Sequence, residues 1–308
     1  MPGGREDEWL WGWDPTPGIV SVWADADGRA VVWRRLAQTG ELLREEARFR
    51  PWVLVDRVDS LQTAGGEVSC RELDGPGTLR YLVSAADGKA LARAGRWREL
   101  GKSSALILAP EEQYLVATGR TYFRGLTFDQ LRRMQFDLET TGLDAERDRI
   151  FMIAVRDSSG VAQTLEIRSE GDAGEAELIR RLADAVRDAD PDVIENHNLH
   201  GFDLPFLDRR ARKLGVPLAL GRTGAPGLRQ RGARRGISSG NDDGRKVRYV
   251  APGRELIDTL DAVLRYDFAT RELPNHGLKA VARHLGIAGP NREQIPGDQI
   301  YTVYRRDP

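Results

Sequence analysis

Apolar and polar residues alternate along much of the first third of the chain, as they do in strands that bury one face. Several such runs lie in GIVSVWADADGRAVVWRRLAQTGELLREEARFRPWVLVDR, with the turn sequences ADG and TG between them. A further strand is predicted by TLRYLVSA, and a short helix ending at Gly101 by ADGKALARAGRWRELG. We therefore expect a β-rich domain over residues 1–127.

The pattern changes after residue 127. A strand is predicted by RRMQFDLET, and a hairpin by RIFMIAVRD and VAQTLEIRS. Helical periodicity follows in AGEAELIRRLADAVRDA, then a short buried strand in PDVIEN and a helix, closed by Gly215, in DLPFLDRRARKLG. Two more amphipathic helices are predicted by ELIDTLDAVLRYDF and HGLKAVARHLGI. The order of these elements predicts an α/β (α+β) domain over residues 128–308, with helices flanking a mixed sheet.

Residues 221–250 interrupt this pattern with a basic, glycine-rich insertion. Between Gly221 and Arg248 there are eight basic residues against two acidic ones. The segment is either a flexible loop or a hairpin that turns at SSGNDDG. A solvated insertion and a surface that contacts phosphates both fit its charge, and the sequence leaves the two open.

The composition limits the class of protein. With 308 residues, 40% of them hydrophobic, and a net charge of −1, the chain fits a globular protein of two domains. No apolar run approaches the roughly 20 residues that span a membrane, and the N-terminus lacks the pattern of a signal peptide. One cysteine, Cys70, excludes an intramolecular disulfide and a cysteine-based zinc site, so the cytoplasm is the expected compartment.

Two carboxylates, Asp137 and Glu139, lie within the strand-like stretch MQFDLET. Residues i and i+2 of a strand face the same side, so these carboxylates point together while Phe136 and Leu138 face the packed side. Two carboxylates a few ångströms apart repel unless one is protonated or a cation lies between them. Because oxygen ligands suit magnesium or manganese, the pair predicts a divalent metal site.

A third carboxylate, Asp203, occurs in ENHNLHGFDLPFLDRRARKLG, where a loop meets a predicted helix. A helix N-cap explains an aspartate there, but it does not explain Asn198 earlier in the same loop. A carboxylate delivered beside the Asp137 strand is what two-metal phosphodiester chemistry requires, where one ion activates water and the other stabilises the leaving oxygen.

The histidines raise the alternative of a zinc site. His197 and His200 lie three residues apart, whereas His276 and His284 are far along the chain. A structural zinc needs more nitrogen or sulfur ligands nearby than this spacing supplies. We therefore interpret His197 as a hydrogen-bonding loop residue beside the carboxylates.

Together, FDLETTGLD and NHNLHGFDLPFL resemble the first two motifs of the 3′–5′ proofreading exonuclease domain of family B DNA polymerases. That domain is a DEDD exonuclease on a ribonuclease H-like fold. The likeness extends from about Gly18 onward. FRPWVLV is similar to a strand of the family's N-terminal domain, and GVPLALGR, GRELIDTLDAVLRYD and ELPNHGLKAVARHLG are similar to segments that follow the second motif.

The resemblance implies a metal-binding role for each of the three carboxylates. Asp137 would be the ligand shared by two divalent ions, Mg²⁺ or Mn²⁺. Glu139 would bind the water-bearing ion and help position the nucleophile, and Asp203 would hold the second ion, largely through water.

The resemblance also implies contacts with substrate. Asn198 and Phe202 match positions that contact a frayed single-stranded 3′ end of DNA. In the basic insertion the family often has a β-hairpin that helps shift a primer terminus between sites. The further residues expected to bind substrate are Thr140, Arg245 and Lys246.

Two departures from the family pattern matter. The third motif, Tyr-x-x-x-Asp, supplies a fourth carboxylate, and neither Tyr301 nor Tyr304 precedes an aspartate by four residues. We therefore expect a fragment, cut off shortly before that motif, whose parent chain carries polymerase domains C-terminal to it. With three carboxylates instead of four, little exonuclease activity is expected from these 308 residues.

Two other functions remain open from the residues. One is a stand-alone DEDD nuclease that acts on RNA or on repair intermediates, and the other is a non-catalytic module that binds nucleic acid. The exonuclease interpretation implies a single-stranded DNA 3′ end or a primer–template as partner, no membrane, and a cytoplasmic, nucleoid location.

Overall fold

The computed structural model describes residues 12–58, 61, 67–97, 104–225, 227–235, 245–289 and 295–306. The chain divides into two compact units, Met1–Gln130 and Leu131–Pro308. Among the described residues, no helix has the length and apolar character needed to cross a membrane.

The first unit is rich in strands, as its alternating pattern predicts. One antiparallel sheet has the order β1-β2-β3, and a second has the order β5-β6-β4-β7. The elements of this unit are β1 Ile19–Ala24, β2 Arg29–Arg35, β3 Leu42–Arg48, β4 Trp52–Val55, β5 Val68–Glu72, β6 Tyr81–Ala85, α1 Gly88–Ala94, β7 Ala105–Leu106 and α2 Pro110–Thr118.

The ADG turn between β1 and β2 depends on its glycine. Gly28 has a φ of 79°, and a Cβ there would lie 2.1 Å from the carbonyl oxygen of Phe49. The left-handed conformation and the close backbone contact both exclude a larger residue.

The predicted end of α1 at Gly101 is wrong, because the helix ends at Ala94. Gly95 is extended, and the Trp97 indole Nε1 donates a hydrogen bond of 2.6 Å to the carbonyl oxygen of Leu91. A Cβ at residue 95 would lie 2.5 Å from the Trp97 ring, so the indole packs directly on Gly95.

The tryptophans of this unit differ in exposure. Trp33 and Trp52 are buried, whereas the side chain of Trp13 is 62% exposed. Trp9 and Trp11 lie outside the described residues. The buried indoles therefore belong to the packing of the unit rather than to an open stacking surface.

The second unit contains the predicted mixed sheet, in the order β10-β9-β8-β11-β14. β8, β9 and β10 are antiparallel neighbours, while β11 runs parallel to both β8 and β14. These strands are β8 Arg133–Thr140, β9 Ile150–Asp157, β10 Ala162–Glu166, β11 Val193–Asn196 and β14 Glu255–Asp258.

Helices pack on this sheet through the apolar positions that the periodicity predicts. Leu178, Leu182 and Val186 are buried along α3, in one core with Phe136 and Leu138 of β8. The helices of the unit are α3 Asp172–Ala189, α4 Leu204–Lys213, α5 Thr259–Thr270, α6 Leu278–His284 and α7 Gly297–Arg306.

The sequence predicts one helix for the stretch ELIDTLDAVLRYDF. The structure instead has a strand followed by a helix. Glu255–Asp258 pair in parallel with Val193–Asn196. The helix begins only at Thr259, because the Asp258 carboxylate accepts a hydrogen bond of 3.0 Å from the Leu260 N–H and caps it.

The basic insertion contains a hairpin rather than only a loop. β12 Arg229–Arg235 pairs antiparallel with β13 Arg245–Val250. The predicted turn SSGNDDG lies in residues 238–244, outside the described residues.

Candidate active site

Strand β8 presents Asp137 and Glu139 on one face, as the alternation predicts. Phe136 and Leu138 point into the core and are 1% and 5% exposed. Asp137 is exposed and Glu139 half-buried. The strand therefore holds its carboxylates on an open face, where substrate and ions have access.

The turn after β8 is fixed by its own side chains. The Thr140 hydroxyl donates a hydrogen bond of 2.7 Å to the carbonyl oxygen of Gly142. The Asp148 carboxylate accepts from the Asp144 N–H at 2.8 Å, and it lies so close to residue 142 that a Cβ there would meet it at 2.4 Å. Thr140 thus stands beside Glu139, with its hydroxyl engaged in the turn.

Asp203 reaches the site from a π-helical turn, Leu199–Asp203, that leads into α4. The Leu204 N–H closes the turn by donating to the carbonyl oxygen of Leu199. The alternative interpretation of Asp203 as an N-cap is wrong, because the residue has helical backbone angles and its side chain does not cap the described helix. Its carboxylate is 2% exposed.

The three carboxylates influence one another electrostatically. Burial and the negative charge of Asp137 raise the pKa of Asp203 to about 8. Although the residue as a whole is exposed, the surrounding protein desolvates the carboxyl group of Asp137 and raises its pKa. Burial and the charge of Asp137 together raise the pKa of Glu139. A carboxylate pair with raised pKa values binds either a proton or a metal cation.

One oxygen of Asp203 is left without a protein partner. In the part of the chain that the structure describes, Oδ1 of Asp203 is a buried polar atom with no hydrogen bond. Buried acceptors are normally satisfied, so this oxygen fits a ligand that the protein itself does not supply. A divalent cation, which prefers carboxylate oxygens, suits the position.

Asn196, at the end of β11, is a site residue that the sequence reasoning missed. Its amide donates a hydrogen bond of 2.8 Å to the Phe136 carbonyl oxygen. Hydrogen bonding from the same amide opposes the rise in the pKa of Asp137 and of Asp203. A polar residue at the carboxyl end of a buried strand was the available signal, since parallel strands bring these ends together.

Lys279, on α6, is a second residue that the reasoning missed. Its positive charge opposes the rise in the pKa of Glu139. The residue lies 140 positions after Glu139, and the sequence HGLKAVARHLGI shows only an amphipathic helix. Nothing in the pattern indicates that this helix faces the carboxylates.

Asn198 and Phe202 lie on the same turn as Asp203. Asn198 adopts a left-handed conformation with a φ of 67°. Its carboxamide packs on Gly201, where a Cβ would lie 2.1 Å from the Asn198 Oδ1. Phe202 is half-buried and packs on Phe206, with 5.6 Å between the ring centroids. The turn therefore holds both residues next to the third carboxylate.

The histidines of this region make hydrogen bonds within the protein. His197 Nε2 lies 2.8 Å from the His276 carbonyl oxygen, and His276 Nε2 lies 2.8 Å from Asp267. His200 Nδ1 accepts from the Tyr249 N–H at 3.2 Å. Across the described ranges, no group of three or more His, Cys, Asp or Glu side chains is placed to hold one metal ion.

The basic residues predicted to bind substrate lie on β13. Tyr249 of this strand stacks parallel to the His200 ring at 6.4 Å. Arg245 lies four residues earlier, about 13 Å along an extended strand. Lys246 follows it, and the side chains of both are outside the described residues.

The two tyrosines near the C-terminus pack on strand β9. Tyr301 and Tyr304 pack on Phe151, with ring centroids 5.0 Å and 4.9 Å away. The Tyr304 hydroxyl donates to Glu166 at 3.3 Å. Both side chains therefore anchor α7 to β9, and Tyr304 also ties it to β10.

Taken together, the fold and site define an α/β protein with an acidic site at the carboxyl ends of its central strands. Residues 119–281 match the family described as DNA polymerase family B, exonuclease domain, and the chain belongs to that family. Exonuclease domains of this family use divalent metal ions.

Two archaeal DNA polymerases are similar to this chain. A DNA polymerase from Pyrococcus glycovorans is 35% identical over 198 residues, which is 61% of this chain and 23% of that protein. DNA polymerase 2 from Aeropyrum pernix is 37% identical over 164 residues, 51% of this chain and 17% of that protein. The chain therefore spans about a quarter or less of these relatives.

A solved structure shows the same fold. The family B DNA polymerase from Pyrobaculum calidifontis superposes with a TM-score of 0.66, at 22% sequence identity, over 94% of this chain and 42% of that chain. The α/β architecture with a β-rich first part is therefore confirmed.

Proposed function

We propose that the chain is the N-terminal and 3′–5′ exonuclease part of a family B DNA polymerase, hydrolysing the single-stranded 3′ end of DNA. The observation that carries the proposal is the pair of Asp137 and Asp203. Two carboxylates, one of them buried with an unpartnered oxygen, share one open site on an exonuclease-family domain.

The three carboxylates would hold the divalent ions, Mg²⁺ or Mn²⁺, two to each ion with Asp137 shared, since among the described residues no three are placed around one ion. Asp137 couples electrostatically to both Glu139 and Asp203, which supports its role as the shared ligand. When bound, such ions activate a water molecule and stabilise the leaving oxygen of a phosphodiester. Asn196 orients the site by donating hydrogen bonds beside the two aspartates.

The chain's other residues would receive the DNA end. Asn198 and Phe202 lie on the turn of Asp203, where an amide and an aromatic ring can contact an unstacked terminal nucleotide. Thr140 lies at the end of the Asp137 strand, where its hydroxyl holds the turn that follows Glu139. Arg245 and Lys246, on the hairpin, would contact phosphates further along the strand.

The test uses the 308-residue chain with Mn²⁺, an ion whose binding is measured directly by electron paramagnetic resonance. Binding is expected for the wild type and for Asp184→Asn, a matched loss of charge on the exposed face of α3. It should weaken at least about tenfold in Asp137→Asn and in Asp203→Asn, since each removes a ligand.

Cleavage is measured in parallel under single-turnover conditions, because a slow rate is expected. Single-stranded DNA labelled at its 5′ end should shorten one nucleotide at a time, only with the ion and not in Asp137→Asn. Preferred shortening of RNA would favour a stand-alone ribonuclease. Unaltered DNA binding by Asp137→Ala with no metal binding by the wild type would favour a non-catalytic module.

A further inference from the structure

The carboxylate of Asp258 joins two segments that are far apart in the sequence. It is 6% exposed and lies at the junction of β14 and α5. Oδ1 accepts hydrogen bonds from the N–H groups of Leu260, at 3.0 Å, and Asn198, at 2.9 Å. Oδ2 accepts from the N–H of His200 at 3.1 Å.

This set of bonds exceeds what a helix cap requires. A capping aspartate accepts hydrogen bonds from the first N–H groups of its own helix. Of the three bonds to Asp258, only the one from Leu260 is of this kind. The other two donors flank the start of the π-helical turn that carries Asp203. Asp87, which caps α1 through the Ala90 N–H, shows the ordinary pattern in the same chain.

The π-helical turn has a reason to need support. Such turns are rare, and Asn198 enters this one with a left-handed φ of 67°. If the turn relaxed to an α-helical turn, Asp203 would rotate by about 100°, the angle between successive residues of a helix. Its carboxylate would then turn away from Asp137.

Asp258 is also aligned with the other side of the site. It is the register partner of Asn196 in the parallel pair of β14 and β11. The next residue, Thr259, donates its hydroxyl to the Asn196 carbonyl oxygen at 3.3 Å. One short segment thus contacts both the strand end that bears Asn196 and the turn that bears Asp203.

We propose that Asp258 is a positioning residue of the exonuclease site, holding the π-helical turn so that Asp203 faces Asp137. The inference rests on the proposed function in one respect, because its expected effect on the affinity for divalent ions assumes that the site binds them. Its structural part, the order of the turn, can be measured independently of any ion.

The decisive variant is Asp258→Ser. Serine is a good N-cap and keeps the Leu260 bond, but its single short oxygen cannot also serve Asn198 and His200. If the serine variant does not fold, Asp258→Asn is used instead, since asparagine has nearly the same shape as aspartate. One of its two side-chain oxygens is replaced by an amide nitrogen, which cannot accept a hydrogen bond from the N–H group that it faces. Asp87→Ser is the matched control at an ordinary cap.

Two measurements are made on each variant. Hydrogen exchange of the Asn198 and His200 amides should accelerate about tenfold or more in Asp258→Ser and stay unchanged in Asp87→Ser. Mn²⁺ affinity should fall about tenfold in Asp258→Ser and not in Asp87→Ser. A tenfold loss is typical when a group that supports a metal ligand is removed. Circular dichroism should show that the helices are retained.

The outcomes separate the two proposals. Unchanged exchange and unchanged Mn²⁺ affinity in Asp258→Ser would reduce Asp258 to a helix cap and overturn the inference. Faster exchange with unchanged affinity would also overturn it, since the turn would then not position Asp203 for an ion. A wild-type chain that binds no Mn²⁺ would instead refute the proposed function, and the exchange rates would still decide whether Asp258 holds the turn.

Discussion

Asp203 is buried against the open face of β8, and the negative charge of Asp137 adds to burial in raising its pKa to about 8. The ordinary value for an aspartate is 3.8. At neutral pH the ion-free chain therefore holds a proton on Asp203 that the unfolded chain does not hold. This relationship makes the stability of the chain depend on pH in a defined direction.

The first prediction compares wild type with Asp203→Asn in the presence of a chelator. The pKa of Asp203 is raised in the folded state, so the protonated side chain contributes to the free energy of unfolding. This contribution is complete below about pH 4 and is lost as the pH rises through about 8. Asparagine is neutral throughout, so the variant should become progressively more stable than wild type across this range, by at most about 6 kcal/mol. Urea unfolding at intervals of pH measures the difference.

The matched control for this series is Asp184→Asn, which removes a carboxylate from the exposed face of α3. Its difference from wild type should vary little over the same range of pH. A constant difference between Asp203→Asn and wild type would show that Asp203 ionises normally in the folded chain.

The second prediction concerns divalent ions. Mn²⁺ or Mg²⁺ should raise the free energy of unfolding of the wild type, by about 2.7 kcal/mol at a hundredfold excess over the dissociation constant. Binding should also release a proton at pH 7, because Asp203 must ionise to act as a ligand. Calorimetric titrations in two buffers of different ionisation enthalpy count the protons released. Equal binding heats in both buffers would contradict the protonated state of Asp203.

Much of the second unit could be predicted because its strands follow simple alternation. The placement of Asp137 and Glu139 on one face, with Phe136 and Leu138 in the core, depends only on the period of a strand. Asp203 was recognisable from its motif. The sequence could not show that it enters through a π-helical turn, since five residues of such a turn have no distinctive pattern.

The residues that the sequence missed are those whose roles depend on long-range pairing. Asn196 and Asp258 become neighbours only because β11 and β14 pair in parallel. The sequence pattern instead predicts the start of a helix at Glu255–Asp258. The charge of Lys279 acts on Glu139 from a helix that is distant in the chain. Local patterns of hydrophobicity carry no information about such approaches.

The third prediction tests the influence of Lys279. Replacing it by methionine keeps a long apolar stem but removes the charge that lowers the pKa of Glu139, so this pKa should rise further. Carbon-13 NMR of the Glu139 carboxyl group over a pH titration measures the change. Lys89→Met on α1 of the first unit is the control and should leave the titration of Glu139 unaltered.

The fourth prediction concerns the ion pair that ties α4 to α3. Arg210 donates to both oxygens of Glu175, at 2.8 Å and 2.5 Å, and the two side chains are 2% and 1% exposed. Glu175→Gln leaves a buried guanidinium without a counter-charge, which should cost about 3–5 kcal/mol in urea unfolding.

The control for this ion pair is the double variant Glu175→Gln/Arg210→Met. Removing the stranded charge should recover part of the stability lost in Glu175→Gln. Recovery should be incomplete, because Glu175 also accepts a hydrogen bond of 2.9 Å from the Ile150 N–H. A double variant less stable than Glu175→Gln alone would show that the packing of Arg210 outweighs the cost of its unpaired charge.

The fifth prediction connects Gly201 with Asn198. A Cβ at residue 201 would lie 2.1 Å from the Asn198 Oδ1, so Gly201→Ala must displace the carboxamide from its place over the turn. If Asn198 contacts the terminal nucleotide, the affinity for single-stranded DNA should fall about three- to tenfold, the loss of one or so hydrogen bonds. Fluorescence anisotropy with a labelled oligonucleotide measures it. Gly77→Ala, at a glycine with open space around it, should bind DNA like wild type.

In the Asn198→Ala background, Gly201→Ala should have little further effect, because the group that it displaces is already gone. A full loss of affinity in that background would mean that residue 201 acts on the DNA directly and not through Asn198.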